Sequence, residues 1–462
     1  MEPADHPELP YWHAAAVQAM VWAWPLYEMQ RMRATTAPRR IALEGFAGDS
    51  ATSALRWFNT LSHARQRLRP GGSRVVLPNN DTLYSNAWLD MSDQQAVVIE
   101  LPVMEDRYHV LGLIDFYTNP FAHIGTRVHG NAGGAFLITP PDWSNEVPEP
   151  FRQQGRHVIA PTAWVWLIGR ILVDSDDDLP AVTALQDHMA IRSLPDWLAG
   201  LPSRALRKPV AQAWDQTFTW RHFLRVVNEA LAHCPPPVHE SALVEAWAVL
   251  GMGPEPRAPR PERPLRPVIE HAWMTASRQV LPMLDMRFDC LGTDQAKTGW
   301  TASIMPTAEH FGGDYLRRAV IARQAIGAVS PQEAIYPRCD TDAAGEPLEG
   351  AYCYRMKFAP GCLPPVSAFW SITMYDAFDG MLVANPIDRY AIGDRTPGLY
   401  IDADGSLTIQ VQHYAPELPQ ARANWLPCPA GRFLLCMRAY LPDPVMEDGR
   451  YVLPSLERCP AQ

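Results

Sequence analysis

The period of apolar and polar positions changes twice along the chain. Residues 11–34, YWHAAAVQAMVWAWPLYEMQRMRA, are rich in alanine and aromatics and predict a helix that caps a sheet, kinked or broken at Pro25. Residues 51–68 suggest a second helix, ended by the turn Pro70-Gly71-Gly72. From Val75 the pattern turns to short apolar runs between turn residues: VVLPNNDTLYSNAWLDM, AVVIELP, YHVLGLIDFYT, GAFLITPP and TAWVWLIGRILV. Runs so spaced predict a β-sandwich or jelly-roll-like sheet.

The acidic stretch DSDDDLPAV (174–182) lacks the ligand spacing, glycine and terminal glutamate of a calcium loop, so it reads as a solvated turn opening a helix. Helical patterns follow at 180–192, 219–233 and 240–251, and CPPP breaks them at 234–237. GPEPRAPRPERPLRP (253–267) reads as a polar, extended linker. After helices at 268–285 and 314–327, strands return in AYCYRMKF, SAFWSITMYDAF, LTIQVQHYA and RFLLCMRAYL. The expected fold is mainly β with helical insertions, an α+β chain with two β-sandwich or jelly-roll-like domains. Its parts are an N-terminal helical cap (1–72), a first β domain (73–180), a helical segment (181–335) and a second β domain (336–462).

Three anchors recur in the two β regions in the same order. LPNNDT ends at Thr82 and YPRCDT at Thr341; strands end at Asp115 and Asp376; apolar strands carry Arg170 and Arg438. The first aspartates precede the second by 34 and 36 residues, and these precede the arginines by 55 and 62, which suggests two diverged copies of one β fold. Each arginine is then the expected partner of its copy's buried aspartate, a pairing that is stable only with good geometry.

Composition narrows the function classes. Hydrophobic residues at 47% and charged residues at 19% fit a folded globular chain, and 45 prolines favour short elements joined by rigid turns. A formal charge of −10 with scattered arginines argues against nucleic acid as a partner. No signal peptide is read at the N-terminus and no run reaches about 18 apolar residues, so a cytoplasmic protein off the membrane is expected. The eight cysteines contain no C-x-x-C pair and read as scattered thiols.

Candidate chemistry centres on RYHVLGLIDFYTNPFAHIGTR (107–127). Read as a strand it places Asp115 and Tyr117 on one face, an expensive arrangement unless the carboxylate is paired or belongs to a site. Asp81, Tyr84, Asp115 and Tyr117 are the catalytic candidates, an Asp–Tyr set suited to general acid–base work. Asn79, Asn119, His123, Arg127, Trp370, Tyr375 and Arg389 are the substrate-binding candidates. His109, His123 and His129 lack metal-motif spacing, so neither a metal nor a cofactor is expected. No G-x-S-x-G elbow, P-loop or dinucleotide fingerprint is present.

VVLPNNDTLYSNAWLDMS, IDFYTNPFAHIGTRVHGNAGG and APTAWVWLIGRILVDSDDDLPAVTALQDH resemble the domain of unknown function 1254. PPVSAFWSITMYDAFDGMLVANPIDRYAIGDRTPGLYIDADGSLTIQVQH and ANWLPCPAGRFLLCMRAYLPDP resemble its usual partner, the domain of unknown function 1214. The resemblance implies a largely β protomer with helical insertions and common homo-oligomers, and it supplies no reaction. Three functions stay open. One is a hydrolase, lyase or isomerase acting on a small organic molecule in a pocket between the β domains. The others are a binding protein for a carbohydrate or small acid, and a structural subunit.

Overall fold

The computed structural model describes residues 2–36, 55–72, 77–209, 218–255, 261–285, 298–301 and 311–459. Among the described residues helix makes up 30% and strand 27%, in several mostly antiparallel sheets with no closed barrel, an α+β fold as expected.

Helix α1 (Leu9–Thr36) runs unbroken through Pro25. Proline inside a helix costs about 3 kcal/mol, but fully burying each large apolar side chain returns roughly 2–3 kcal/mol. Trp22, Trp24, Leu26 and Met29 are all at most 1% exposed, so packing outweighs the lost hydrogen bond. The predicted helix at 51–68 is instead a strand, Leu55–Phe58, paired with Leu206–Pro209, followed by Ser62–His63. Long-range pairing overrides local preference there. Residues 51–54 lie outside the described residues, as do 256–260 of the predicted linker.

The first β unit contains β1 (Thr82–Asp90), β2 (Val97–Leu101), β3 (His109–Ile114), β4 (Pro120–Gly125), β5 (Gly134–Thr139), β6 (Trp164–Leu172) and β7 (Ala190–Ser193). One sheet has the order Ser62–His63, β1, β6, β3, β4, and the other β7, β2, β5, His157–Ile159. The sheets enclose Leu83, Leu89, Leu111, Leu113, Val165 and Leu167 from the first, and Val97, Ile99, Phe136 and Ile138 from the second. Alternation along β1 then turns Thr82, Tyr84, Trp88 and Asp90 to the outer face.

Helices α2 (Trp220–His233), α3 (Arg266–Leu284) and α4 (Tyr315–Gln324) join α1 over one end of that outer face, where Trp88, Trp164 and Trp166 complete their core. No helix of the described residues is long and apolar enough to cross a membrane. Between the predicted helices, residues 190–209 are largely extended, with β7, a short helix at Leu194–Leu198 and the strand Leu206–Pro209.

The second unit contains β8 (Tyr354–Phe358), β9 (Val366–Asp376), β10 (Leu407–Gln412) and β11 (Phe433–Pro442). Its sheets have the orders Ala334–Ile335, β11, β9, Ala391–Gly393 and Trp425–Pro427, β10, β8, Glu457–Arg458. Taken in chain order, eight strands of each unit occupy corresponding places. Even the one parallel pair recurs, β5 with His157–Ile159 and β10 with Trp425–Pro427.

The register confirms the duplication at single positions. In the first unit Arg170 stands opposite Val110, and Val110 opposite Gly125. In the second Arg438 stands opposite Ser371, and Ser371 opposite Gly393. A side chain on Gly125 would put its Cβ 2.3 Å from the His109 oxygen, and one on Gly393 would meet the Trp370 oxygen at 2.1 Å. The same close approach demands glycine in both copies. Tyr84 is opposite Arg170, and the pairing of Ile335 with Ala439 carries on to place Tyr336 opposite Arg438. The Asp-Thr anchors therefore do not correspond, since the equivalent of Thr82 is Ala334 rather than Thr341.

The aspartate anchors do correspond, but they do not pair with the arginines. Asp115 and Asp376 lie five residues beyond Val110 and Ser371, about 16 Å along a strand and out of reach. Strand β3 ends before Asp115, which caps a turn by accepting from the Tyr117 and Asn119 amides, both at 2.9 Å. Asp376 accepts from the Phe378 amide at 2.7 Å in the same way. The repeated aspartate is a turn cap.

Candidate functional site

The outer faces of the two arginine-bearing sheets meet, and most of the predicted polar residues of the Asn79–Tyr84 stretch lie between them. The Asn79 amide donates to the Tyr440 hydroxyl at 2.6 Å and to Thr82 Oγ1 at 3.1 Å, and its oxygen accepts from the Asp81 amide at 2.7 Å. Asp81 Oδ2 accepts from the Ser371 hydroxyl at 2.6 Å. Tyr375, fully buried, donates to the Pro78 carbonyl at 2.7 Å. Tyr108, Phe369 and Tyr440 pack as a three-ring cluster, with Phe369 and Tyr440 stacked 4.3 Å apart.

The acidic turn at 174–178 is largely exposed and opens a helix, as expected, and its first aspartate also reaches the second unit. Asp174 pairs with Arg395 of the second unit, Asp176 with Arg69 at 2.8 Å, and Asp178 with Arg107 at 2.6 and 2.8 Å.

Each arginine reaches a segment that leads into the other copy. Arg438 Nη2 donates to the Leu77 carbonyl at 2.8 Å, and Arg170 Nη2 donates to the Gly327 carbonyl at 2.8 Å. Their remaining donors differ. Arg438 Nη1 donates to Thr373 Oγ1 at 2.9 Å. Thr373 is two residues beyond Ser371, and the corresponding residue two beyond Val110 is Gly112, which has no side chain to offer. Among the described residues neither Nη1 nor Nε of Arg170 has a hydrogen-bond partner, although the residue is only 5% exposed. Its guanidinium lies 5.2 Å from the centre of the half-buried Tyr84 ring. The buried Tyr336 hydroxyl is also unpartnered, and burial pushes it up to about 12.

Two more predicted residues line the margin. Arg127 Nε pairs with the buried Glu333 at 2.7 Å, and Glu333 also accepts from the Tyr108 hydroxyl at 3.0 Å. His123 is buried and accepts from the Ser330 amide at 3.5 Å; burial, then Arg127 and Arg170, push it down to about 3, so it is neutral.

The other candidates lie elsewhere. Asp115, 4% exposed, also accepts from the Asn119 amide nitrogen at 2.9 Å; burial pushes its carboxyl up to about 6. Tyr117 is 1% exposed and donates to the Cys234 carbonyl at 3.0 Å beneath the helical layer. Asp115 and Tyr117 therefore do not form an acid–base pair on one strand face. Trp370 belongs to the core of the second sandwich, and Arg389 donates to the Ala423 and Trp425 carbonyls at 2.8 and 2.9 Å. Among the described residues no group of three His, Cys, Asp or Glu side chains is placed to hold a metal ion. Two surface clefts, of about 300 and 350 Å³, open away from the junction, one beside Trp220 and Arg266 and the other beside Lys357 and Cys362.

Gly112, Ser371, Thr373 and Tyr336 carry no signal of their own in the sequence. Arg170 is legible there only as a structural partner. The alignment of the two arginine strands held the signal, because Gly112 is where the first copy departs from the second.

The family model for DUF1254, a protein of unknown function, matches residues 58–193, and that for DUF1214, also a protein of unknown function, matches residues 333–444. The chain pairs these two domains. The DUF1254 match spans β1 to β7 and the DUF1214 match spans β8 to β11, so each holds one arginine strand. The crystal structure of the VPA0106 protein from Vibrio parahaemolyticus is similar in fold, with a TM-score of 0.70 and 23% identity over 97% of this chain and 100% of that one. An uncharacterised protein from Burkholderia cenocepacia aligns with a TM-score of 0.42 and 11% identity over 98% of this chain and 94% of its own. No curated protein matches the DUF1254–DUF1214 chain.

Proposed function

We propose that the junction between the DUF1254 and DUF1214 parts binds a small organic acid, with Arg170 anchoring its carboxylate. The observation that carries this reading is the pair of unpartnered donors, Nε and Nη1, on a guanidinium that is 5% exposed. A buried donor without an acceptor costs about 1–3 kcal/mol, and more when it is charged. A cation–π contact with Tyr84 gives back roughly 1–2 kcal/mol but satisfies neither N–H.

Charge points the same way. Glu333 neutralises Arg127, whereas Arg170 has no carboxylate at ion-pair distance among the described residues. A ligand carboxylate supplies the missing charge and can accept from these donors. The Tyr336 hydroxyl offers another donor.

Binding fits the geometry better than turnover. Asp115 and Tyr117 are held apart from the junction, and Asp81 already accepts from Ser371. Thermal-shift screening of mono-, di- and tricarboxylates, followed by calorimetry, tests the proposal, and product analysis of the same mixtures reads out any catalysis. At least one acid should bind the wild type and lose affinity tenfold or more in Arg170→Met. Gly112→Ser, which introduces a hydroxyl beside Arg170 as Thr373 does beside Arg438, should weaken binding as well. Binding that is equal in all three proteins, or absent throughout the panel, rejects the reading.

A further inference from the structure

We propose that Cys353 and Cys459 form a reversible disulfide that staples the C-terminal strand to the second β unit. Glu457–Arg458 pairs with β8 through Tyr354 opposite Arg458 and Arg355 opposite Glu457. The same antiparallel register puts Cys353 opposite Cys459, and the Cys459 amide donates to the Cys353 carbonyl at 2.8 Å. Both thiols are free and half-buried. Of the other described cysteines, Cys234, Cys339, Cys428 and Cys436 are buried and Cys362 is exposed.

Directly opposed residues in a hydrogen-bonded antiparallel pair have Cα atoms about 5.5 Å apart, inside the roughly 4.4–6.8 Å that a disulfide spans. Their side chains leave the same face of the sheet. Cβ atoms at such pairs stand about 4.5–5.5 Å apart, wider than the ~3.8 Å mean of relaxed disulfides. The bond therefore carries strain and is readily reduced, which makes it reversible rather than permanent.

The segment to be held is short and lies at the sheet's edge. Glu457–Arg458 is a two-residue strand and, among the described residues, has no strand beyond it in that sheet. The chain just before it closes the second core with Leu453 and Leu456, and Trp300 Nε1 donates to the Pro454 carbonyl at 2.9 Å. A bond from residue 353 to residue 459 would enclose most of that core in one covalent ring.

A small disulfide such as oxidised glutathione is a sufficient oxidant. One cysteine thiolate attacks it and releases one glutathione thiol, leaving a mixed disulfide. The second thiolate attacks the protein sulfur of that bond and releases the other glutathione. Two protein thiols lose two electrons and two protons in all, and one glutathione disulfide becomes two thiols.

The full chain is incubated with oxidised glutathione, alkylated, and mapped by mass spectrometry without reduction. The expected result is a linked Cys353–Cys459 peptide, with the free-thiol count falling from eight to six. Dithiothreitol should restore the count. The oxidised protein should melt at a higher temperature than the reduced one, and neither Cys353→Ser nor Cys459→Ser should show that shift. An unchanged count, a stable glutathione adduct, a Cys353–Cys428 link or a dimer joined through Cys362 overturns the proposal. Mapping needs only the wild type, so misfolding of a variant leaves the test intact.

Discussion

Arg170 and Arg438 occupy the same position in two copies of one sheet, and each donates at 2.8 Å to the segment entering the opposite copy, at Gly327 and Leu77. The two units are thus fastened by an exchange of like contacts. The exchange is unequal, because only Arg438 has its second terminal nitrogen satisfied, by Thr373 at 2.9 Å.

That inequality predicts unequal mutations. Hydrogen bonds from a charged donor are worth roughly 1.5–3 kcal/mol each, so Arg438→Met, which loses two, should destabilise the fold by about 3–5 kcal/mol. Arg170→Met loses one and removes a poorly satisfied charge, so it should cost less than half as much. Urea unfolding of both variants measures the difference, and equal losses would contradict the asymmetry.

The Ser371–Asp81 contact joins the units through a second, separable bond. Ser371→Ala should cost about 1–2 kcal/mol, and a double-mutant cycle with Asp81→Asn should show coupling of about 1 kcal/mol. Additive losses would mean the 2.6 Å contact contributes nothing in solution.

Asp115 should make stability depend on pH in a direction unusual for a carboxylate. Burial raises its folded value to about 6 from an ordinary 3.8, so the folded state holds the proton more tightly. Its contribution to stability is full below about 4, is lost as pH rises from 4 to 6, and stays lost above that. The span is of the order of 3 kcal/mol. Asp115→Asn keeps an acceptor for the turn amides and should flatten that slope in unfolding measured from pH 4 to 7.

Gly125→Ala and Gly393→Ala should each cost more than about 3 kcal/mol or abolish soluble expression, because a Cβ would lie 2.3 and 2.1 Å from backbone oxygens. Gly130→Ala, where nothing lies within 4 Å and φ is +67°, should cost about 1 kcal/mol through backbone strain alone. Comparing the three melting temperatures separates crowding from strain.

Much of this architecture is legible in the sequence. All nine long strand runs read from alternation and turn residues are strands, since local periodicity reports which face is buried. The repeat was legible through Asp115/Asp376 and Arg170/Arg438, but the function assigned to those residues was not. A linear string shows that an aspartate and an arginine recur, whereas their separation of about 16 Å follows from strand register, which only pairing fixes. Leu55–Phe58 was missed because its pairing partner lies at Leu206–Pro209. At the junction, Asn79, Asp81, Tyr84 and Tyr375 were legible as a polar cluster. Gly112 was not, because its importance is the absence of a group that its counterpart carries.

The exchange between the two arginines also bears on how such a protein can change. In a symmetric pair of identical subunits, a substitution at one fastening residue alters both junction sites together and weakens the assembly twice. Joined in one chain, the two positions vary singly. Thr373 can go on locking Arg438 while Gly112 leaves Arg170 unlocked, so one half of the joint keeps the halves together and the other half is released for a different use.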